Sequence, residues 1–142
     1  MKNVMAMGLA VTLLLGANAV KAEDTLQGTW RLISGEANGK ALTQKQLQAG
    51  KLVIKGDHYS VTLDESGAVT GVQKLDPKQK IKTIDITNST GPHKDQTCLG
   101  IYEVKGNEFR VAFAPTGKAR PSSFSTKADS GIWMHTWKRV KE

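Results

Sequence analysis

The residues most able to form a binding site alternate along one segment near the C-terminus: Trp133, His135, Trp137 and Arg139. Because alternate side chains of a β-strand point to the same face of a sheet, a strand here would place all four together. If that face points inward, two indoles and an imidazole would form the apolar wall with one polar group that is typical of a small-molecule pocket. Alternatively, the two Trp side chains simply fill the core. The opposite face is almost as apolar, with Ile132, Met134 and Val140, and both orientations stay open.

Metal and nucleophile chemistry are suggested by residue type but not by spacing. Histidine is a common zinc ligand, yet no two of His58, His93 and His135 have i, i+2 or i, i+4 spacing. Cys98, His93 and Asp95 have the types of a nucleophile and its base, but all three fall within one predicted loop. A buried, unreactive thiol is the commoner situation for a lone Cys. Because no group of residues meets the geometric roles of catalysis, we predict no enzyme activity, no metal and no cofactor.

A charged residue in the long connection from 115 to 130 is a candidate for surface recognition. Arg120 could hold a carboxylate or a phosphate group, since long connections often carry function. It could equally hold the connection against the barrel through Asp85, and we favour that structural role. The sequence therefore predicts Arg120 as a loop residue with two alternative roles.

Residues 1–22 have the pattern of an export signal. Lys2 precedes an apolar run from Val4 to Ala17, and Val20-Lys21-Ala22 carries small or β-branched residues at the two positions that a signal peptidase reads. A membrane anchor would need roughly 20 apolar residues, which is more than this run supplies. We therefore predict a signal peptide of residues 1–22, a mature domain of residues 23–142 and a periplasmic or extracellular location, with no membrane span.

Charge and composition narrow the classes of partner. Removing Lys2 and Lys21 from the 20 Lys and Arg leaves 18 against 13 Asp and Glu, a net charge of +5 for the mature domain. Four lysines cluster between positions 74 and 82 and could contact a polyanion or a membrane surface, although a solvated loop is the more common outcome. Export and the lack of interleaved exposed aromatic residues argue against nucleic acid as a partner. The single Cys leaves no intramolecular disulfide, and nothing indicates an oligomeric state.

Short β-type segments separated by turn residues predict an all-β domain. The predicted strands are Leu26–Ser34, Lys51–Lys55, His58–Leu63, Ala68–Leu75, Ile81–Thr87, Leu99–Lys105, Glu108–Ala114 and Ile132–Val140. One short helix is predicted over Thr43–Ala49, because Thr43 and Gln46 have capping-box spacing and Gly50 follows. Strands at this spacing are typical of a sandwich or a barrel.

Two tight turns predict the pairing register of the strands around them. Gly106-Asn107 suits a two-residue type II′ turn, which pairs Val104 with Phe109 and Tyr102 with Val111. Gly56-Asp57 similarly pairs Ile54 with Tyr59 and Leu52 with Val61. Both registers collect the large apolar side chains on one face, which indicates a sheet with one buried side. In the first hairpin Glu103 and Arg110 are then predicted to face each other on the outer side.

Closing eight such strands into a barrel would remove both exposed sheet edges. A barrel of eight strands is wide enough to be filled by side chains or to hold one small ligand. The short helix could then close one end.

The first strand carries Gly28-Thr29-Trp30, which is similar to the G-x-W pattern at the start of lipocalins. In those barrels a basic residue of the last strand lies over the Trp, and Arg139 is suitably placed for this cation–π contact. More broadly, the mature chain resembles a lipocalin-like domain family of unknown function that is abundant in planctomycete bacteria, often behind a signal peptide. The resemblance rests on Leu26 to Trp30, Glu36 with Gly39, Leu75-Asp76-Pro77, Lys82 to Asp85, Gly91-Pro92, Gly100 to Glu103, Arg120-Pro121 with Phe124, and Gly131.

The chain departs from that family pattern at two positions. Ile81 stands where a Pro is common, and Ala112 where a Cys is common, so any thiol-based function of the family would lack its residue here. The resemblance implies an eight-stranded antiparallel up-and-down barrel and an exported protein, with no activity attached.

Two functional hypotheses follow from the sequence. The first is a binding protein that holds a small, largely apolar ligand among Trp30, Tyr59, Tyr102, Trp133, His135 and Trp137. The second is a structural or interaction protein of the cell envelope, with a closed, filled core, that acts through its surface loops. The volume of the barrel interior separates the two hypotheses.

Overall fold

A computed structural model describes residues 25–141. The predicted signal peptide, residues 1–22, lies outside the described residues. The strands are β1 (Gly28–Ala37), β2 (Lys40–Ala41), β3 (Lys51–Lys55), β4 (His58–Thr62), β5 (Ala68–Asp76), β6 (Thr83–Asn88), β7 (Thr97–Lys105), β8 (Glu108–Phe113) and β9 (Trp133–Arg139), with one short helix, α1 (Gln44–Ala49), between β2 and β3. In this part of the chain no helix has the length and hydropathy to cross a membrane.

The sheet closes on itself, because β1 pairs with β3 on one side and with β9 on the other. Every pairing is antiparallel, and apart from the two-residue β2 the strands follow one another around the barrel in chain order. The closing pair runs from Trp30 opposite Arg139 to Ala37 opposite Trp133, with an irregularity between Leu32 and Ser34. The predicted all-β fold, an eight-stranded antiparallel up-and-down barrel with one short helix, is confirmed.

Both registers predicted from turn residues are confirmed. Val104 pairs with Phe109 and Tyr102 with Val111. Ile54 pairs with Tyr59 and Leu52 with Val61. Gly56 and Gly106 have φ values of 61° and 59°, the left-handed region that the first central position of a type II′ turn requires.

The two ends of the first strand differ from the prediction. The strand begins at Gly28 rather than Leu26 and continues to Ala37 rather than Ser34. Gly28 has a φ of 119°, which turns the chain away from the preceding residues. Leu26 is nevertheless fully buried, and its carbonyl accepts a hydrogen bond of 2.9 Å from Trp30 Nε1. The chain before β1 therefore bends under the barrel instead of extending the sheet.

The helix begins with the predicted capping box. The backbone N–H of Gln46 donates to the Thr43 hydroxyl oxygen, and the backbone N–H of Thr43 donates to the Gln46 side-chain oxygen. Leu47 packs against the core. These local hydrogen bonds explain why so short a segment is helical.

Trp30 anchors the end of the barrel where the described chain begins. Its indole is fully buried and lies 5.6 Å from the ring of Phe109, which in turn lies 6.2 Å from Tyr102. The guanidinium of Arg139 also covers the indole. We call this end, formed by Trp30, Tyr102, Phe109 and Arg139, the closed end.

Candidate functional site

The barrel encloses a cavity of about 740 Å³ above the closed end. Its walls are mainly aliphatic and aromatic, and none of the described residues that line it is Asp, Glu, Lys or Arg. Because Phe109 lines the cavity and also packs on Trp30, it belongs to the floor. The interior is therefore hollow, and its lining carries no permanently charged side chain.

The mouth of the cavity lies at the opposite end, among the connections that follow β4, β6 and β8. Leu63, His93, Gln96 and Thr116 line the cavity and are exposed, so this side opens to solvent. Helix α1 was predicted as a cover for one end. None of its residues lines the cavity, although Leu42, just before it, does. The helix therefore packs beside the mouth and does not fill it.

Strand β9 places its aromatic face inward, as the alternation allowed. Trp133, His135 and Trp137 all line the cavity. The His135 ring meets Trp137 edge-on, with centroids 5.7 Å apart, and the Trp133 ring lies 5.5 Å from Phe113. The inward orientation that the sequence left open is thus the one observed.

His135 is a neutral group at ordinary pH. Its side chain is buried among apolar neighbours, and this burial lowers its pKa from 6.5 to about 4 because the charged imidazolium is disfavoured in such surroundings. The imidazole consequently presents one N–H donor and one nitrogen acceptor rather than a positive charge.

Tyr59 lies on β4, three strands from β9 around the barrel, and points its hydroxyl at β6. The Tyr59 hydroxyl donates a hydrogen bond to the Asn88 side-chain oxygen, and burial raises the pKa of Tyr59 to about 12. Room for the ring exists because its cross-strand partner is Gly71. A Cβ atom at position 71 would collide with the Tyr59 ring and with the carbonyl oxygen of Thr87.

Gln73 is a lining residue that the sequence analysis missed. It is only 8% exposed, and its Nε2 has no hydrogen-bond partner among the described residues. Its backbone N–H donates to the carbonyl of Asp57 at 2.8 Å, in the turn between β3 and β4, which lies at the end of the barrel away from the mouth. The available signal was a polar residue at an inward position of β5, in the alternation Val69, Gly71, Gln73.

The six residues predicted to contact a ligand divide into two groups. Tyr59, Trp133, His135 and Trp137 line the cavity together. Trp30 and Tyr102 are buried at the closed end and are not among the lining residues. Both pack against Phe109, which forms the cavity floor, and so lie beneath the cavity rather than in its wall.

Cys98 is half-buried rather than buried, because it lines the cavity near the mouth. Its Sγ lies 3.5 Å from the Thr116 hydroxyl. His93 also lines the mouth, whereas Asp95 is exposed with a φ of 67°. No hydrogen bond joins these three side chains in residues 25–141, and that range holds no cluster of three or more His, Cys, Asp or Glu suited to a metal ion.

Arg120 holds the long β8–β9 connection against the outside of the barrel. Its Nη1 lies 2.6 Å from Asp85 Oδ1 and donates to the Gly100 carbonyl at 2.8 Å. Nearby, the Arg110 guanidinium lies 4.1 Å from the centroid of the Phe124 ring and pairs with Glu103 at 2.7 Å. These contacts are the ones that the structural alternative for Arg120 predicts.

The fold and the cavity define a lipocalin-like barrel: a closed, eight-stranded antiparallel β-barrel with an apolar interior that opens at one end. Comparison with known proteins finds no matching family model, no matching curated protein and no matching solved structure. The resemblance to the planctomycete family therefore stays a prediction.

Proposed function

We propose that this protein is an exported, non-enzymatic binding protein that holds one small, largely apolar molecule inside its barrel. The observation that carries the proposal is the uncharged cavity of about 740 Å³, a volume within the range of small-molecule sites. Aromatic side chains from β9 and aliphatic side chains from the other strands would replace the water around such a ligand. The hydrophobic effect then supplies most of the binding free energy.

The alternative, a protein with a filled core that acts only through its surface, is favoured less by these observations. A filled barrel would have no room for a ligand, and this interior has room for one. Arg120 is the loop residue that a surface function would use, and its guanidinium donates hydrogen bonds to Asp85 and to the Gly100 carbonyl instead.

Binding can be tested with the purified mature domain and the uncharged fluorescent probe N-phenyl-naphthylamine. We expect saturable enhancement of probe emission at one probe per protein. The matched variants are Val69→Trp and Val72→Trp. Both lie on β5, but Val69 lines the cavity and Val72 points outward with 36% exposure. Filling the cavity at position 69 should weaken binding at least tenfold, whereas Val72→Trp should bind as the unchanged protein does.

Two outcomes would sink the proposal. One is the absence of saturable binding up to the solubility of the probe. The other is equal weakening by both tryptophan variants, or by neither, which would place the probe on the outer surface.

Export is the second component of the proposal and rests on residues 1–22. In a bacterial host that secretes through the general pathway, mass spectrometry should find a mature chain beginning at Glu23 in the periplasm or the medium. Leu14→Arg interrupts the apolar run and should leave the full-length precursor in the cytoplasm. Cytoplasmic retention of the unaltered chain would contradict export without affecting the cavity.

A further inference from the structure

We propose that Gln73 selects the ligand: the cavity takes an uncharged molecule that carries a hydrogen-bond acceptor, such as a carbonyl oxygen, at the end buried deepest. This inference rests on the proposed binding function and adds to it the chemical class of the ligand and its direction of entry.

The first observation is an amide that the protein leaves unsatisfied. Gln73 is 8% exposed and lines the cavity, and its Nε2 meets no hydrogen-bond partner within residues 25–141. A buried donor without a partner lowers the stability of the fold. An apolar side chain, as at most other lining positions, would avoid that cost. As placed, Nε2 is shielded from the cavity, and a ligand acceptor would satisfy it once the terminal amide has turned.

The terminal amide can bring its donor to the ligand without moving the backbone. The last torsion of Gln is broad and roughly twofold, so a half-turn exchanges the positions of Nε2 and Oε1. The backbone of Gln73 is meanwhile held by pairing with Ile86 and by the hydrogen bond to Asp57. The terminal amide of Gln73 can therefore rotate while the backbone of Gln73 stays in place.

The second observation is the lack of a charge to balance an ionised ligand. No Asp, Glu, Lys or Arg occurs among the described lining residues. Directly across the barrel, four strands away in the strand order, β9 contributes His135, which burial keeps neutral. An ionised carboxylate buried here would lose its hydration without gaining an opposite charge. The interior therefore favours a neutral acceptor over an anion.

The third observation is depth. Gln73 contacts the β3–β4 turn at the end away from the mouth, whereas Leu63 and Gln96 line the mouth. The acceptor must enter first, and an apolar tail would then lie along Trp133 and the aliphatic walls toward the opening. The arrangement is a polar group at the bottom of an apolar cavity.

Isothermal titration with two matched probes tests this selection. The probes are a ten-carbon methyl ketone and the alkene in which CH₂ replaces its carbonyl oxygen. Each is titrated into the mature protein and into Gln73→Leu. The quantity of interest is the ratio of the two dissociation constants, because this ratio cancels the contribution of the shared tail. We expect Gln73→Leu to shift the ratio about tenfold against the ketone, the equivalent of one hydrogen bond of ordinary net strength.

Two further variants complete the experiment. Gln79→Leu replaces an exposed Gln in the β5–β6 connection that does not line the cavity, and it should leave the ratio unchanged. Gln73→Met, unbranched and similar in length, replaces Gln73→Leu if the latter does not fold. The ten-carbon carboxylate should bind more weakly than the ketone at neutral pH, and its affinity should rise as acidification protonates it.

The outcomes separate this inference from the proposed function. If both probes bind but the ratio is the same with and without Gln73, or if the carboxylate anion binds as tightly as the ketone, the inference is wrong and the binding function stands. If neither probe binds the unaltered protein, both are wrong.

Discussion

The guanidinium carbon of Arg139 lies 4.2 Å from the centroid of the Trp30 indole, so the last strand covers the core residue of the first. The guanidinium also donates to the backbone carbonyls of Thr25 and Gln27, which fixes the chain that enters β1. This pair closes the barrel beneath the cavity without lining it. The stability that this pair supplies therefore comes from residues outside the cavity lining.

Replacing Arg139 should therefore destabilise the protein without changing ligand affinity. Arg139→Leu loses the cation–π contact and both carbonyl hydrogen bonds, and we expect the free energy of unfolding to fall by about 2–4 kcal/mol. Arg139→Lys keeps the charge but not the planar guanidinium. Its free energy of unfolding should therefore lie between those of the unaltered protein and Arg139→Leu. Urea unfolding measures the loss. A changed probe affinity in the folded variant would contradict the separation of closed end and cavity.

His135 should make the protein less stable in mild acid. Its pKa is 6.5 when solvated and about 4 when folded, so between these values the unfolded chain binds the proton more readily. The stability that the neutral ring contributes is complete above pH 6.5 and is lost as the pH falls to about 4. Because each pKa unit corresponds to about 1.4 kcal/mol, this difference in pKa lowers the free energy of unfolding by about 3 kcal/mol at pH 4 and below.

The matched variants are His135→Gln and His58→Gln. His58 is 73% exposed at a hairpin turn, and its replacement should leave the pH dependence of unfolding unchanged. His135→Gln should remove the additional loss between pH 7 and pH 4. A pH profile identical to that of the unaltered protein would show that carboxylates alone cause the acid sensitivity.

Arg120 should act as a fold residue. Arg120→Ala breaks the contact with Asp85 and leaves the Gly100 carbonyl without its donor, and we expect a loss of about 1–3 kcal/mol. Both side chains are about one-third exposed, so their mutual coupling in a double-mutant cycle with Asp85→Ala should be only about 0.5–1 kcal/mol. Lys118→Ala, an exposed change in the same connection, is the control. Unchanged thermal stability in Arg120→Ala would restore the surface-recognition alternative.

Gly71→Ala should impair both stability and binding, because the new methyl group collides with the Tyr59 ring and with the Thr87 carbonyl. Overpacking of this kind costs about 1–3 kcal/mol. Displacing Tyr59 also alters the cavity wall, so probe affinity should fall in the folded fraction. Val72→Ala, the neighbouring outward position, should change neither by more than about 0.5 kcal/mol. Normal probe affinity in Gly71→Ala would mean that the ring of Tyr59 does not shape the site.

The sequence by itself determined the features that depend on neighbouring residues. Two-residue turns at Gly56 and Gly106 set the registers of two hairpins, and alternation then set which side chains face inward. The capping box of α1 is equally local. The contact of Arg139 with Trp30 was also predictable, through the resemblance to lipocalin barrels, although the two residues are far apart in the chain.

Only the tertiary structure decided the height of each inward residue along the barrel axis. Alternation separates inside from outside, but the stagger that sets height arises when all eight strands close. For this reason Trp30 and Tyr102 were grouped with Trp133 and His135, although they lie beneath the cavity. The depth of Gln73 was unpredictable for the same reason, since no tight turn sets the register of β5. Closure places it deep inside, opposite β9, where its unpaired amide becomes the most specific feature of the site.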